Sequence, residues 1–280
     1  MESGNRIFKI ARVGLHRFEE PCLSGTAGSG TVFFSGCNLR CAFCQNYRIS
    51  RGENGLAVND EELLSLFGFL EKEGAHNINL VTPSIWTKKL IPVLKEFKKS
   101  HKIPIVWNSS GYESVEDIRL LEGLADVFLP DFKYSDDALA LEYSGVRGYR
   151  DKAFAAISEM RRQQPADVFD ENGIMQKGVI VRHLVLPAAT ENTRGVLRAL
   201  SQIDDSLYVS LMSQYFPTPQ VAEHPVLGRR VTCEEYDDAL NAFFEAGLKN
   251  GFSQDPESAT EDYVPDFDIS ELAALLDCIG

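Results

Sequence analysis

The sequence predicts an α/β protein in which strands and helices alternate around a parallel sheet. Three observations carry that reading. About six short apolar runs recur along the chain, a segment of helical spacing follows each, and several of those segments open on a capping residue. Right-handed crossovers between successive parallel strands would curl such a sheet into a barrel or an incomplete barrel.

Taken in order, Thr31-Val-Phe-Phe34 reads as the first strand and leads at once into Gly36 and a cysteine-rich loop. Asn59 caps the first helix, Glu62 completes a capping box, Leu63, Leu66, Phe67 and Leu70 form its apolar stripe, and Gly74 ends it. A strand over 78–81, a helix over 86–99, a strand over 103–107, a helix over 114–123 and a strand over 127–129 repeat the pattern. Helical segments follow at 135–143 and 150–162, then a strand over 179–186, a helix over 190–200 and a strand over 207–211. Thr232 with Glu235 opens a further capped helix that runs to Gly247. No linker divides the chain, so one domain is expected over 1–280, with a lead-in at 1–30 and an acidic tail at 255–280. The tail reads as a partly extended strap ending in a short helix over 270–279.

Composition narrows the function. With 280 residues, 44% hydrophobic and 25% charged, the chain has the balance of a globular protein. Its formal charge of -13 and pI near 4.9 repel phosphate backbones, which argues against nucleic acid as a partner. No apolar run nears the roughly 18 residues of a membrane span, and residues 1–10 lack a signal-peptide core, so a cytoplasmic location is expected.

The cysteines point to chemistry. Cys37, Cys41 and Cys44 stand in a C-x3-C-x2-C spacing on one loop at a strand exit. Three thiolates there suit three irons of a cubane, leaving the fourth iron open, and an open position marks a catalytic metal. A zinc site is the alternative, and would need a fourth ligand such as His16 or His183. Cys22, Cys233 and Cys278 are isolated and read as buried or incidental thiols, although Cys22 sits in a polar, Gly-rich approach to the loop.

Polar residues gather where predicted strands end, the place where a parallel barrel builds its site. They are Thr82 and Ser84, Asn108 and Ser109, Asp131 and Lys133, and Ser213, Gln214 and Tyr215. Arg182 lies inside the apolar run 179–186, where a charge needs a partner or a polar cavity, and a guanidinium fork suits a carboxylate. Asp131 and Lys133, two apart on an extended segment, share a face; they either serve the site or form a structural ion pair. The lysines at 88, 89, 95, 98, 99 and 102 read as a solvated face or as a docking patch for an acidic protein.

The loop Ser35-Gly-Cys-Asn-Leu-Arg-Cys-Ala-Phe-Cys44 resembles that of the radical S-adenosylmethionine (SAM) superfamily. That resemblance implies an incomplete TIM-like (β/α)6 barrel, a 4Fe-4S cluster on the three cysteines, and SAM chelated to the open iron. Phe43 then matches the aromatic position flanking the adenine. Trp107-Asn-Ser-Ser-Gly-Tyr112, Leu129-Pro-Asp-Phe-Lys133 and the run ending at Pro187 resemble strand ends of the pyruvate formate-lyase activating enzyme and its homologues. The resemblance covers roughly residues 30 to 215 and implies SAM-binding roles for Thr82, Ser84, Asn108, Ser109, Asp131, Lys133, Arg182 and Gln214. Arg182 is the candidate for the SAM carboxylate, and Asp131 and Lys133 for its ribose or methionine part. The family's Gly-Gly-Glu motif is absent; Val81-Thr-Pro-Ser84 stands there, with Thr82 or nearby carbonyls as its substitute. A protein or peptide substrate and an electron donor such as flavodoxin or ferredoxin are implied. Modification of a small molecule, or a non-catalytic iron-sulfur protein, are the rival readings. Only 215–231 is long enough to gate the mouth, which favours a macromolecular substrate.

Overall fold

The computed structural model describes residues 6–254 and 266–279. The strands are β1 (Phe8–His16), β2 (Ser29–Phe34), β3 (Leu56–Val58), β4 (Ile78–Val81), β5 (Ile105–Ser109), β6 (Val127–Pro130), β7 (Val168–Phe169), β8 (Met175–Leu184), β9 (Tyr208–Met212) and β10 (Asn250–Ser253). The helices are α1 (Pro21–Ser24), α2 (Tyr47–Ser50), α3 (Asp60–Lys72), α4 (Thr87–Phe97), α5 (Val115–Arg119), α6 (Asp137–Ser144), α7 (Tyr149–Gln163), α8 (Thr190–Ile203), α9 (Cys233–Glu245) and α10 (Ile269–Ile279). The two predicted capping boxes are formed, Asn59 with Glu62 on α3 and Thr232 with Glu235 on α9.

The sheet runs β10-β9-β8-β6-β5-β4-β2-β1-β3, with β7 paired to β8 off this path. From β2 to β10 every neighbouring pair on the path is parallel, and this half forms the incomplete barrel. The six predicted strands are all present. Sequence analysis missed β1, which pairs antiparallel with β2, and β3, which pairs antiparallel with β1. The alternation of FKIARVGLH breaks where the register shifts between Ile10 and Arg12, and LAV is too short to show a period. It also missed β10, a four-residue parallel addition beside β9.

The strand alternation sorts side chains into two layers. Trp107, Phe128, Val179 and Val181 face the helices within the large core, with Leu63, Leu94, Ile157 and Val196. Val106, Val127, Leu129 and Ile180 have the opposite parity and pack against Cys22 and Leu23 of α1. That short helix therefore plugs the barrel floor. Continuing at the same parity, Asn108, Asp131, Arg182, Ser210 and Met212 line a cavity above it. The tail strap predicted within 255–280 falls largely on 255–265, outside the described residues; the terminal helix is present as α10, packed on α3, β1 and β3.

Candidate active site

Gly36 and the cysteine loop leave β2 directly. Gly36 has φ 91°, a region open to glycine, and a Cβ there would meet the Ile85 side chain at 2.7 Å. The loop is tied down on all sides. The N–H groups of Arg40 and Ala42 donate to Ser144 and Tyr143 at the end of α6, at 3.1 and 2.7 Å. Asn38 donates to the Tyr112 carbonyl at 2.7 Å and accepts from the Ser110 hydroxyl at 2.9 Å. Trp86 donates its indole N–H to the Ser35 carbonyl at 3.2 Å. A preorganised loop of this kind holds its three thiols without ligand.

All three thiols line one cavity of about 400 Å3, and none is in a disulfide. The Leu39 N–H donates to Cys37 Sγ at 3.4 Å and the Ser144 hydroxyl to Cys41 Sγ at 2.9 Å, as sulfur ligands of a cluster are commonly supported. Burial pushes all three thiols up, Cys44 to about 12, so ligation must displace protons. Among the described residues no three His, Cys, Asp or Glu side chains converge as the ligands of one ion would. Of the two histidines named as a possible fourth zinc ligand, His183 is fully buried, with Nδ1 2.7 Å from the Phe132 carbonyl and Nε2 2.9 Å from the Thr193 hydroxyl, whereas His16 lines the same cavity as the cysteines.

The cavity gathers Phe43, Thr82, Asn108, Ser109, Asp131, Lys133, Arg182 and Gln214 with the cysteines. Phe43 is buried and meets Tyr215 edge to face at 5.9 Å. Gln45 donates to the Gln214 carbonyl at 3.1 Å, joining the cysteine loop to the exit of β9. Ser84, expected in the site, does not line the cavity. It starts a 3-10 turn over Ser84–Trp86 and donates to the buried Glu113 at 2.7 Å, so its hydroxyl is turned from the cavity.

Thr82 has φ 59°, a left-handed conformation that is strained for a β-branched residue and costs about 1–3 kcal/mol. Its N–H donates to the Asn108 carbonyl at 2.9 Å, which fixes the turn where the Gly-Gly-Glu motif would stand. In the Trp107–Tyr112 stretch, Gly111 has φ 72° and a Cβ there would collide with the Asp131 carbonyl oxygen. The glycine of that motif thus lets two strand ends close over each other.

Asp131 and Lys133 are joined as an ion pair at 2.5 Å, both lining the cavity. Burial alone would lower the Lys133 ammonium, but Asp131 and the neighbouring thiols outweigh it and raise it. The ion pair read from sequence as one alternative is thus formed, and it stands at the cavity wall. Arg182 faces inward, yet its fork is already engaged: Nε donates to Glu20 Oε1 at 2.8 Å, Nη2 to Glu20 Oε2 at 2.6 Å, and Nη2 also to Glu19. Asn79 donates to Glu19 at 3.0 Å. Thus the carboxylate partners of Arg182 come from the lead-in ahead of α1. Sequence analysis missed Glu19 and Glu20 as site residues, although an arginine in an apolar strand required carboxylates and these two stood unassigned.

Residues 31–175 match the model of the Radical SAM superfamily. The chain belongs to this superfamily. It is an enzyme family whose members generally carry a 4Fe-4S cluster and use SAM. An uncharacterized protein of Methanocaldococcus jannaschii is 32% identical over 237 residues, covering 81% of this chain and 64% of that protein. The chain thus spans less than two thirds of that relative's length. Among solved structures, methylornithine synthase (PylB) superposes with TM-score 0.50 at 15% identity, covering 89% of this chain and 81% of that one. The FeFe-hydrogenase maturase HydG from Carboxydothermus hydrogenoformans gives TM-score 0.54 at 12% identity, covering 89% and 65%. At such identities the likeness concerns the fold, an α/β TIM-like barrel.

Proposed function

We propose that Cys37, Cys41 and Cys44 hold three irons of a 4Fe-4S cluster and that the cavity beside them binds SAM for radical hydrogen abstraction from a protein or peptide, in the manner of glycyl-radical activation. The observation that carries the reading is the opening of three supported thiols into the same cavity as the polar ends of β4, β5, β6 and β8. When bound, the cluster and SAM supply an electron and a 5'-deoxyadenosyl radical that takes a hydrogen atom from substrate. An electron donor of flavodoxin or ferredoxin type belongs to this reading.

The chain's own residues bind and orient. Lys133, charged and beside Cys41 and Cys44, is placed for the SAM carboxylate, which frees Arg182 from that role. Asp131 accepts hydrogen bonds from ribose hydroxyls. The strained Thr82 turn offers its carbonyl to the ammonium group in place of the missing motif. Phe43, backed by Tyr215, offers an aromatic face to adenine. The macromolecular substrate is supported by the segment 215–231, the long connection that could otherwise gate the mouth. It is packed rather than lid-like: Phe216, Val221 and Leu227 are buried, and the Tyr215 hydroxyl donates to the Leu227 carbonyl at 2.6 Å.

The test is anaerobic reconstitution with iron, sulfide, SAM and reductant. Four irons per chain and release of 5'-deoxyadenosine are expected, and Cys37→Ala, Cys41→Ala or Cys44→Ala should each lose both. Cys22→Ala should keep them, because Cys22 packs in the barrel floor with its thiol raised to about 12 by burial. A full iron count in Cys41→Ala sinks the ligand assignment. For the substrate, extract from cells grown on deuterated glycine is fractionated by size. Label reaching 5'-deoxyadenosine from the macromolecular fraction is expected; label from the small-molecule filtrate alone overturns the macromolecular reading.

A further inference from the structure

Glu113 is a buried carboxylate that the proposed mechanism does not use. It is 5% exposed, and no Lys, Arg or His side chain pairs with it among the described residues. Three donors converge on it instead. Ser84 Oγ and Trp107 Nε1 donate to Oε1 at 2.7 and 3.1 Å, and Ser109 Oγ donates to Oε2 at 2.7 Å. Burial pushes its carboxyl up in spite of these bonds. Placing a carboxylate in the core without a cation is costly, and the three hydrogen bonds are its compensation.

The donors come from two strand exits. Ser84 follows β4, two residues past Thr82, while Trp107 and Ser109 belong to β5 on either side of Asn108. Thr82 and Asn108 line the cavity, whereas Glu113 does not. A left-handed threonine persists only where its surroundings over-determine it. The constraints here are the Thr82 N–H on Asn108 from one side and the Ser84 hydroxyl on Glu113 from the other.

We propose that Glu113 is a positioning residue for SAM: by joining the exits of β4 and β5, it holds the Thr82 turn and Asn108 in the conformation that receives the cofactor. The proposal rests on the reading of this cavity as a SAM site. It also accounts for the direction taken by Ser84, whose hydroxyl is spent on the latch. The cysteine loop touches the latched segments through Asn38 and Trp86, but the bonds of Arg40, Ala42 and Cys41 to Tyr143 and Ser144 of α6 do not pass through Glu113, so iron binding is expected to survive its loss.

The experiment compares Glu113→Ala, Glu113→Gln and Ser84→Ala in the reconstituted holoenzyme, reading iron per chain, the Kd for SAM from its perturbation of the reduced-cluster spectrum, and the rate of 5'-deoxyadenosine release at saturating SAM. Glu113→Ala should weaken SAM binding about 10-fold or more with the iron count unchanged, the scale seen when outer partners of a site are removed. Ser84→Ala, a milder change, should shift Kd in the same direction, and the double variant should be no weaker than Glu113→Ala alone. Glu113→Gln should restore most of the affinity, since its carbonyl still accepts from Ser84 and Trp107 while its amide donates to the Ser109 hydroxyl. An unchanged Kd in Ser84→Ala and Glu113→Ala, or iron lost in parallel with SAM affinity, overturns the proposal. If wild-type protein with full iron shows no SAM perturbation, the SAM-site reading itself fails, a result distinct from either.

Discussion

At the scale of single residues, buried ionisable groups tie stability to pH. His183 donates from Nδ1 to the Phe132 carbonyl and has Nε2 2.9 Å from the Thr193 hydroxyl, and its complete burial favours the neutral ring, in which Nε2 accepts. Burial lowers its pKa from 6.5 to about 4. The unfolded chain therefore takes up a proton between those values that the fold refuses, and stability falls as pH drops through that window, by up to about 3 kcal/mol. Denaturant midpoints measured from pH 7 to 4 should show this slope, and His183→Gln should flatten it; an unaltered slope refutes the assignment. The same scale shows what sequence made visible. Cys37, Cys41 and Cys44 were legible because covalent spacing alone puts them on one loop. Ser84 was misread because strand-end position predicts proximity to the cavity but not the direction of a side chain once a 3-10 turn follows. Glu113 left no signal, because its role depends on partners 29 and 6 residues away.

At the scale of elements, the lead-in matters more than its composition indicated. Residues 16–24 descend from β1 into the barrel, where Cys22 and Leu23 of α1 pack against Val106, Val127 and Ile180, and Glu19 and Glu20 meet Arg182 of β8. Sequence could place a charge in an apolar strand but not choose its partner, because the pairing spans 162 residues. Burial opposes ionisation of Glu20, and Arg182 more than offsets it, so the Glu20 carboxyl is held below its ordinary 4.5. A depressed carboxylate stabilises the fold above its unfolded pKa, and that contribution is lost as pH falls below about 4.5. Arg182→Met reverses the sign. It strands two buried carboxylates, which should cost about 3–5 kcal/mol at pH 7. Acidification from pH 7 to pH 5 should then recover part of the loss, because protonation of Glu20 removes a buried, unpaired charge. Urea unfolding of the variant at both pH values checks this; a variant no less stable than wild type at pH 7 would show the network to be dispensable.

At the scale of the whole molecule, the barrel is an open sheet whose β3 edge is reached from the far end of the chain. The alternation of strand and helix was legible from 31 to 211, because each parallel strand with its crossover helix carries its own periodic signal. What lay outside that reading is the antiparallel closure by β1 and β3, and the return of the terminal segment, both set by long-range contact. Phe267 is 5% exposed and packs with Ala11, Phe33, Ile49 and Val81, meeting the Phe33 ring edge to face at 5.5 Å. Phe33, Ile49 and Val81 also line the cavity. Beyond it, α10 buries Leu272 in the main core, beside Leu275 and Leu276. The segment from 266 to 279 thus backs the cavity wall while covering β1. Phe267→Ala should cost about 3 kcal/mol by the usual penalty for emptying a buried aromatic site. The loss should appear in the urea midpoint of the whole chain, because β1, β2 and β4 share the vacated volume. Iron content after reconstitution should stay full, since the cysteine loop is anchored on α6 from the other side. A midpoint unchanged by Phe267→Ala would mean that the terminal segment is a passive cover, and that the wall of β2 and β4 stands without it.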